Sequence, residues 1–248
     1  SGPRPMPVPR PAAPAAELAQ IAELISAAGR PTLLVGSQLR FSAARDALTR
    51  FAEQVQMPIF LNGMARGALP ADHPNLFSRT RRFALKESDL ILVMGTPFDF
   101  RVDYGRKGSW NAVAKVVQVD LNGEELGHNR DVDVALQADS GLVIEQLSKL
   151  ASGKRCPQWL STLREQEQSL RAEMQQESSE SLAAPSPVLV CREVGARLSP
   201  EDIVIGDGGD FVATAAHAIA IQWPQIWMDP GPLGTLGVGP GYAMAAQI

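Results

Sequence analysis

The sequence has few cysteines and no long apolar run. Among its 248 residues only Cys156 and Cys191 are cysteines, and they lie far apart without metal-ligand spacing. Isolated cysteines of this kind are typical of inert thiols in a reducing compartment rather than of a disulfide framework. No apolar run approaches the length of a membrane span, and no charged-then-apolar segment opens the chain. We therefore expect no membrane span and a cytoplasmic location.

Excess positive charge and the common catalytic arrangements are also missing. With 23 basic against 27 acidic residues, the net charge of -4 argues against a nucleic-acid surface and leaves a small-molecule substrate as the expected partner. No G-x-G-x-x-G follows any predicted strand, which excludes an ordinary NAD site. The histidines His73, His128 and His217 are isolated, without a Ser-His-Asp or zinc arrangement. We therefore predict no catalytic residue and no metal ligand in this sequence.

Residues 1–14 are rich in proline and alanine, with prolines at alternate positions from Pro3 to Pro11. Such prolines keep the chain extended and deny it ladder hydrogen bonds. This pattern predicts an interdomain linker, and a ligand for a proline-recognising module is the functional alternative. Because the chain starts with Ser1 and stops just inside a predicted helix, we expect it to be cut from something longer.

From residue 15 to residue 153 the pattern alternates between helix and strand. Helical spacing of apolar residues predicts helices over residues 16–26 and 43–56, and Ser140 is predicted to cap a helix that runs to Leu150. Short apolar runs predict strands over residues 32–35, 58–61, 90–94, 115–120 and 134–139. Strands that are apolar throughout and alternate with helices form a parallel sheet covered on both faces. The fold class predicted for this domain is therefore α/β.

Small and polar residues close the predicted strands. Gly36, Asn62, Gly95 and Asp120 stand at the carboxyl ends of successive strands, where ligands of parallel sheets bind. An acid at such an end, here Asp120, can accept hydrogen bonds from a ribose. The equally weighted alternative is a carboxylate that only caps a helix or a turn.

A second α/β domain is predicted to begin at residue 188. Residues 154–187 lead to it through a polar run, 156–177, that favours a solvated helix crossing between domains, and a Ser/Ala/Pro linker, 178–187. The domain itself is predicted to open with the following elements: a helix over 188–198, a strand and glycine-rich turn over 201–211, a helix over 212–220, and a strand ending at Met228.

Glycine is densest in the last stretch, at positions 231, 234, 237, 239 and 241, before an apolar helix that begins near Tyr242. Glycines at this density allow positive φ or close approach of the backbone. A strand, a glycine-rich loop and a helix form the general layout of a phosphate- or cofactor-binding turn. The spacing does not match the dinucleotide or P-loop fingerprints. A tight turn without a ligand is the alternative.

The segment Leu233-Gly-Thr-Leu-Gly-Val-Gly-Pro240 resembles the loop that opens the cofactor domain of thiamine diphosphate enzymes of the acetolactate synthase superfamily. Four further segments resemble successive strand–loop units of the central domain of these enzymes: Val35-Gly-Ser37, Phe60 to Leu69, Leu92-Val-Met-Gly-Thr-Pro97 and Val119-Asp-Leu121. The resemblance implies a central domain over residues 15–153 and the incomplete start of a thiamine diphosphate-binding domain over residues 188–248.

The resemblance also implies site residues. Leu236 takes the position that supports the bent cofactor. Its neighbours in the loop, Gly234, Thr235 and Gly237, are implied to bind the cofactor as well. The residues implied at the cofactor diphosphate are Gly208, Gly209, Asp210 and Phe211. Asp210 and Phe211 replace a glutamine and a histidine of the family, which puts their side-chain contacts in question. Gly36, Gly95 and Asp120 are implied at a central site that holds FAD, ADP or CoA in different members, and Arg40, Arg66 and Arg101 could bind phosphates. For each of these arginines the alternative is a surface cation.

Two parts of the family's machinery are absent from these residues. The magnesium-binding motif pairs a Gly-Asp-Gly with a later Asn-Asn, and no Asn-Asn follows Gly206-Asp207-Gly208. The domain that carries the activating glutamate is missing as well. The resemblance implies a parent enzyme that is a thiamine diphosphate- and magnesium-dependent C–C lyase or carboligase for 2-keto acids or 2-hydroxyacyl-CoA, assembled as a homodimer or homotetramer. This chain alone is expected to be inactive. The alternative is a non-catalytic nucleotide-binding or subunit-interaction module.

Overall fold

The computed structural model describes residues 10–179, 184–224 and 226–247. Most of the linker predicted over residues 1–14, and the middle of the one predicted over residues 178–187, lie outside the described residues. Nothing in the structure tests the predicted domain boundaries, which stay predictions.

Six parallel strands form the main sheet. They are β1 (Pro31–Val35), β2 (Ile59–Leu61), β3 (Leu76–Phe77), β4 (Leu90–Met94), β5 (Lys115–Asp120) and β6 (Val134–Gln137). Their order across the sheet is β3-β2-β1-β4-β5-β6, and every pair is parallel. Every residue of β1 and β4 is buried, so the sheet is covered on both faces. The predicted α/β fold is confirmed, and β1 and β4 flank the point where the strand order reverses.

Four helices accompany the sheet: α1 (Ala15–Ala27), α2 (Ala47–Gln54), α3 (Arg81–Glu87) and α4 (Ser140–Leu150). Apolar side chains from these helices and the strands form one continuous core. Helix α2 is shorter than the predicted 43–56, because it begins only at Ala47 and ends at Gln54. The predicted cap of α4 is wrong by one residue. Asp139, not Ser140, accepts hydrogen bonds from the amides of Gly141 and Leu142.

Helix α5 (Pro157–Ser179) is less solvated than its polar sequence predicts. Trp159, Leu160 and Leu163 on its first half are buried in the core of the sheet, and the Trp159 indole donates to the carbonyl oxygen of Pro31 at 3.1 Å. The helix also extends to Ser179, into the stretch predicted as a linker. These three apolar side chains lie on one face of α5 and pack it against the sheet.

The C-terminal segment, defined as residues 187–247, forms a small second layer. It contains α6 (Pro187–Gly195), β7 (Val204–Ile205), α7 (Gly209–Ala218), β8 (Trp227–Met228) and α8 (Gly239–Ala246). Strands β7 and β8 pair in parallel, and a separate apolar cluster forms around the fully buried Trp227. Helix α6 ends at Gly195, three residues before the predicted end at residue 198. None of the helices in the described ranges has the length and apolar character needed to cross a membrane.

Candidate functional site

Gly36, Gly95 and Asp120 come together at the carboxyl edge of the sheet. A side chain on Gly36 would place its Cβ 2.3 Å from the carbonyl oxygen of Gly95 and 2.3 Å from Cβ of Thr96. The amides of Gly36 and Gly95 donate to the ends of neighbouring strands, at Met94 and Val119. Gly36 is therefore glycine because two backbone loops of the protein meet there, where the strand order reverses.

Asp120 ends β5 with a carboxylate that is fully buried. Its Oδ1 accepts from the Gln38 amide at 2.7 Å and from the backbone amide of Asn122 at 2.8 Å. Its Oδ2 is also buried, and it has no hydrogen-bond partner among the described residues. A buried carboxylate oxygen without a partner is costly. The Oδ1 atom of Asp120 thus stabilises a turn, while Oδ2 remains available as a hydrogen-bond acceptor.

The second glycine-rich turn lies at the start of α7. Gly208 has φ of 110° and Gly209 has φ of 68°, both in the range that favours glycine. A Cβ on Gly208 would lie 2.6 Å from Cδ2 of Leu236, so the turn and the loop over residues 234–237 are in direct contact. The turn joins β7 to the amide end of α7, which is the layout that holds anions.

The predicted cofactor residues in this region are largely exposed. Leu236 is 70% exposed and Phe211 is 54% exposed, and Asp210, Gly234, Thr235 and Gly237 are exposed as well. Leu236 is therefore not packed in either apolar core of the described residues. Asp207, from the Gly-Asp-Gly triplet, lies against α8, with its Oδ2 2.9 Å from the position of a Cβ on Gly239.

The backbone of this turn fits a diphosphate, while its side chains fit it less well. Free amide groups at the start of α7 and two positive-φ glycines suit an anion. Asp207 and Asp210 place carboxylates at the same turn, and these repel an anion unless a cation lies between them. Among the residues that the structure describes, no group of three or more histidine, cysteine, aspartate or glutamate side chains could hold that cation.

Two of the three arginines singled out in the sequence, Arg40 and Arg66, join the sheet to the C-terminal segment. Arg66 lies over the Trp227 ring at 5.4 Å from its centroid and 3.7 Å from Oδ2 of Asp229, with its side chain 17% exposed. Arg40 donates to the carbonyl oxygen of Trp227 at 2.7 Å. Arg101 pairs with Asp99 at 2.6 Å and is 15% exposed. Burial excludes the interpretation of Arg66 and Arg101 as surface cations.

Glu167 on α5 is a buried carboxylate that the sequence did not point to. It accepts from the backbone and hydroxyl groups of Ser78 and Thr80 and from the amide of Arg79. Burial would raise the pKa of Glu167, but these hydrogen bonds together lower it. The only sequence signal for this role is one acid on the same helical face as Trp159, Leu160 and Leu163.

The family model described as "Thiamine pyrophosphate enzyme, central domain" matches residues 18–147, which include the whole six-stranded sheet. The chain therefore belongs to the thiamine pyrophosphate enzyme family. Thiamine pyrophosphate is the same compound as thiamine diphosphate.

Among similar proteins, "2-hydroxyacyl-CoA lyase 2" of Danio rerio is 37% identical, over 98% of this chain and 40% of that protein. The protein of the same name from Homo sapiens is 36% identical, over 98% of this chain and 39% of its own length. "Probable acetolactate synthase" of Mycobacterium bovis is 35% identical, over 93% of this chain and 42% of that protein. The chain spans about two fifths of the length of these relatives.

Proposed function

We propose that the chain is a segment of a thiamine diphosphate- and magnesium-dependent enzyme that makes or breaks a C–C bond beside a carbonyl group. The substrates proposed are 2-keto acids or 2-hydroxyacyl-CoA, in keeping with the names of the relatives. The observation that carries the proposal is the contact between the Gly208 turn and Leu236 at the amide end of α7. This contact supports the proposal that the Gly208 turn and Leu236 belong to one cofactor site.

Each part of that site has a distinct role in the proposal. The backbone amides after Gly208 and Gly209 would bind the diphosphate, and the exposed Leu236 would support the bend of the cofactor. When bound, thiamine diphosphate supplies a carbanion that attacks a carbonyl and a ring that stores the electrons. Magnesium would offset the carboxylates of Asp207 and Asp210, with its ligands coming from outside these residues.

Turnover tests this proposal. We expect the 248-residue chain alone to show no lyase or carboligase activity with thiamine diphosphate and magnesium, and the longer parent protein to show it. In the parent, Gly208→Ala should abolish activity, because the new Cβ would strain a φ of 110° and meet Leu236. The matched control is Gly231→Ala, which also has positive φ (65°) but has no atom within 4 Å of the new Cβ. Turnover by the isolated chain, or equal losses in both variants, would contradict the proposal.

A nucleotide at the carboxyl edge of the sheet is a second part of the proposal. We infer that FAD, ADP or CoA binds there, because Asp120 keeps a buried Oδ2 without a partner that a ribose hydroxyl could satisfy. A ligand at about a hundredfold its Kd stabilises a protein by roughly 2.7 kcal/mol. ADP should therefore raise the melting temperature of the chain. The rise should be smaller in Asp120→Asn, and in the exposed control Asp46→Asn it should equal that of the unmodified chain. The absence of any shift with ADP, CoA or FAD at millimolar concentration would leave the sheet without this role.

We also propose that the parent protein is a homodimer or homotetramer in the cytoplasm. The apolar side chains of Leu233, Leu236, Phe211 and Met244 are each more than half exposed, which supports cover by another domain or subunit. The two cysteines are buried and free, in keeping with a reducing compartment. Light scattering of the parent protein tests the assembly, and a monomer at micromolar concentration would contradict it.

A further inference from the structure

The last residues of the proline-rich stretch are tied to the folded domain just before α1. We call residues 10–14 the entry segment. The carbonyl oxygen of Pro11 accepts from the backbone amide of Asp139 at 2.8 Å. Nη1 of Arg10 lies 3.7 Å from Oδ2 of Asp139, and Nη2 of Arg10 donates to the carbonyl oxygen of Phe41 at 2.6 Å. Two consecutive residues therefore make three contacts with the domain.

Asp139 is a buried anion that needs a counter-charge. Its side chain is fully buried at the start of α4. Oδ1 accepts from the Ser42 hydroxyl and from the amides of Gly141 and Leu142, at 2.9 and 3.2 Å for the two amides. Oδ2 is buried as well and has no hydrogen-bond partner among the described residues. Because a buried carboxylate is costly without a counter-charge, the ion pair with Arg10 is the contact that offsets this cost.

The other contact of Arg10 falls on a short 3-10 turn, Ser37–Phe41, that follows β1. Leu39 is buried in the middle of this turn, while Phe41 at its end is 55% exposed. A 3-10 turn of this length has few internal hydrogen bonds. Its exposed end is therefore positioned from outside, by Arg10 and by the bond from Ser42 to Asp139.

The same turn carries Gln38 to the carboxyl edge of the sheet. Nε2 of Gln38 donates to Oδ1 of Asp120 at 2.7 Å, and its Oε1 accepts from the amide of Leu121 at 3.1 Å. The backbone amide of Gln38 donates to the carbonyl oxygen of Gly95 at 3.3 Å. One short turn thus connects Arg10 with the carboxyl end of β5.

We propose that Arg10 is a positioning residue that couples the entry segment to the carboxyl edge of the sheet. With the guanidinium on both Asp139 and Phe41, the 3-10 turn is fixed and Gln38 stays bonded to Asp120. When the entry segment is displaced, the Phe41 carbonyl loses its donor and the Asp139 carboxylate loses its counter-charge. The turn then loosens, and the bonds of Gln38 open more often. Arginine suits this role because its planar fork reaches two acceptors at once, whereas the ammonium of lysine is a point charge.

Amide hydrogen exchange and the ¹H–¹⁵N NOE, measured by NMR on the 248-residue chain, test this coupling. The test variant is Arg10→Gln, which removes the charge and keeps a polar side chain. The matched control is Arg45→Gln, an exposed arginine that follows the same 3-10 turn. The amide of Leu121 reports on the bond to Gln38. The amide of Val116, at the other end of β5, bonds to a different carboxylate at 2.9 Å and reports on global stability.

In Arg10→Gln we expect a lower NOE at the amide of Ala12, which lies in the entry segment. The amide of Leu121 should exchange at least about fivefold faster, since a hydrogen bond to a charged group is worth that factor or more. Val116 should stay within about twofold in both variants, and Arg45→Gln should leave Ala12 and Leu121 within the same limit.

Three results would overturn the proposal. An unchanged NOE at Ala12 would mean that Arg10 does not hold the entry segment. A lower NOE at Ala12 with unchanged exchange at Leu121 would mean that the segment is not coupled to the edge of the sheet. Equal acceleration at Leu121 and Val116, or the same effects in Arg45→Gln, would mean that losing an arginine only destabilises the fold.

Discussion

Replacing Glu167 with glutamine should destabilise the protein without changing the shape of the side chain. One carboxylate oxygen, Oε2, accepts from the amides of Arg79 at 3.0 Å and Thr80 at 3.1 Å. In Glu167→Gln an NH₂ group faces these two donors, of which the Thr80 amide is buried and the Arg79 amide is partly buried. Each orphaned donor costs about 1–3 kcal/mol, and Arg79 can partly share the remaining oxygen, so we expect a loss of about 2–4 kcal/mol in the free energy of unfolding.

Urea denaturation at pH 7 measures this loss. The control is Glu165→Gln on the same helix, where an exposed carboxylate accepts from the Ser161 hydroxyl, and there the change should stay within about 0.5 kcal/mol. An unchanged urea midpoint in Glu167→Gln would refute the assigned role of the carboxylate.

The pH dependence gives an independent check on Glu167. Its pKa in the folded state is lowered from the ordinary 4.5, so the stabilisation is present above that value and is lost as pH falls through the folded-state pKa. The difference between the unmodified protein and Glu167→Gln should therefore narrow on acidification below pH 4.5. A difference that stays constant through this range would contradict the lowered pKa.

Three further predictions concern other positions. Gly36→Ala should lower the free energy of unfolding by at least about 1–3 kcal/mol, measured by urea denaturation, because its Cβ has no space beside Thr96; a neutral change would contradict the close approach of the loops. Leu236→Ala in the parent enzyme should reduce turnover while changing the melting temperature little, since this segment folds with the Leu236 side chain 70% exposed. Leu233→Ala, at 86% exposure in the same loop, is its control, and equal effects on turnover would exclude a specific role for Leu236. Cys156 should resist thiol reagents at pH 8 until the protein is unfolded, because burial raises its pKa to about 11; rapid labelling of Cys156 in the folded chain would be the opposite result.

The sheet could be predicted from the sequence because its strands are local apolar runs. Strand β5 spans Lys115–Asp120 as predicted, and β1, β2 and β4 differ by at most one residue at an end. Strand β3 was missed because its two residues, Leu76 and Phe77, carry no periodicity and pair only through β2. The strand was therefore fixed by its neighbour in the sheet rather than by its own sequence.

The candidate sites were predictable only in part. The residues Gly36, Gly95 and Asp120 were predictable as neighbours, because parallel strands bring their carboxyl ends to one edge. The cavity between the sheet and the C-terminal segment was not predictable, since its lining residues Arg66, Arg79 and Arg192 come from loops and helices far apart in the chain. Glu167 was hidden for the same reason, because its donors lie nearly ninety positions earlier. Local patterns do not contain such long-range contacts. The roles of the glycine-rich turns stay predictions.

Gly67 sets the spacing between the sheet and the C-terminal segment. A Cβ at this position would lie 2.1 Å from the carbonyl oxygen of Trp223 and 2.8 Å from the Ile221 side chain. The backbones of the two parts of the chain therefore lie in contact here, and a change of side-chain rotamer could not make room for a larger residue. Gly67 and Ile221 also line a cavity of about 310 Å³ between the sheet and the C-terminal segment, so one added methyl group at Gly67 would change the width of that pocket. The dimensions of that pocket are thus set by the smallest residue in its wall.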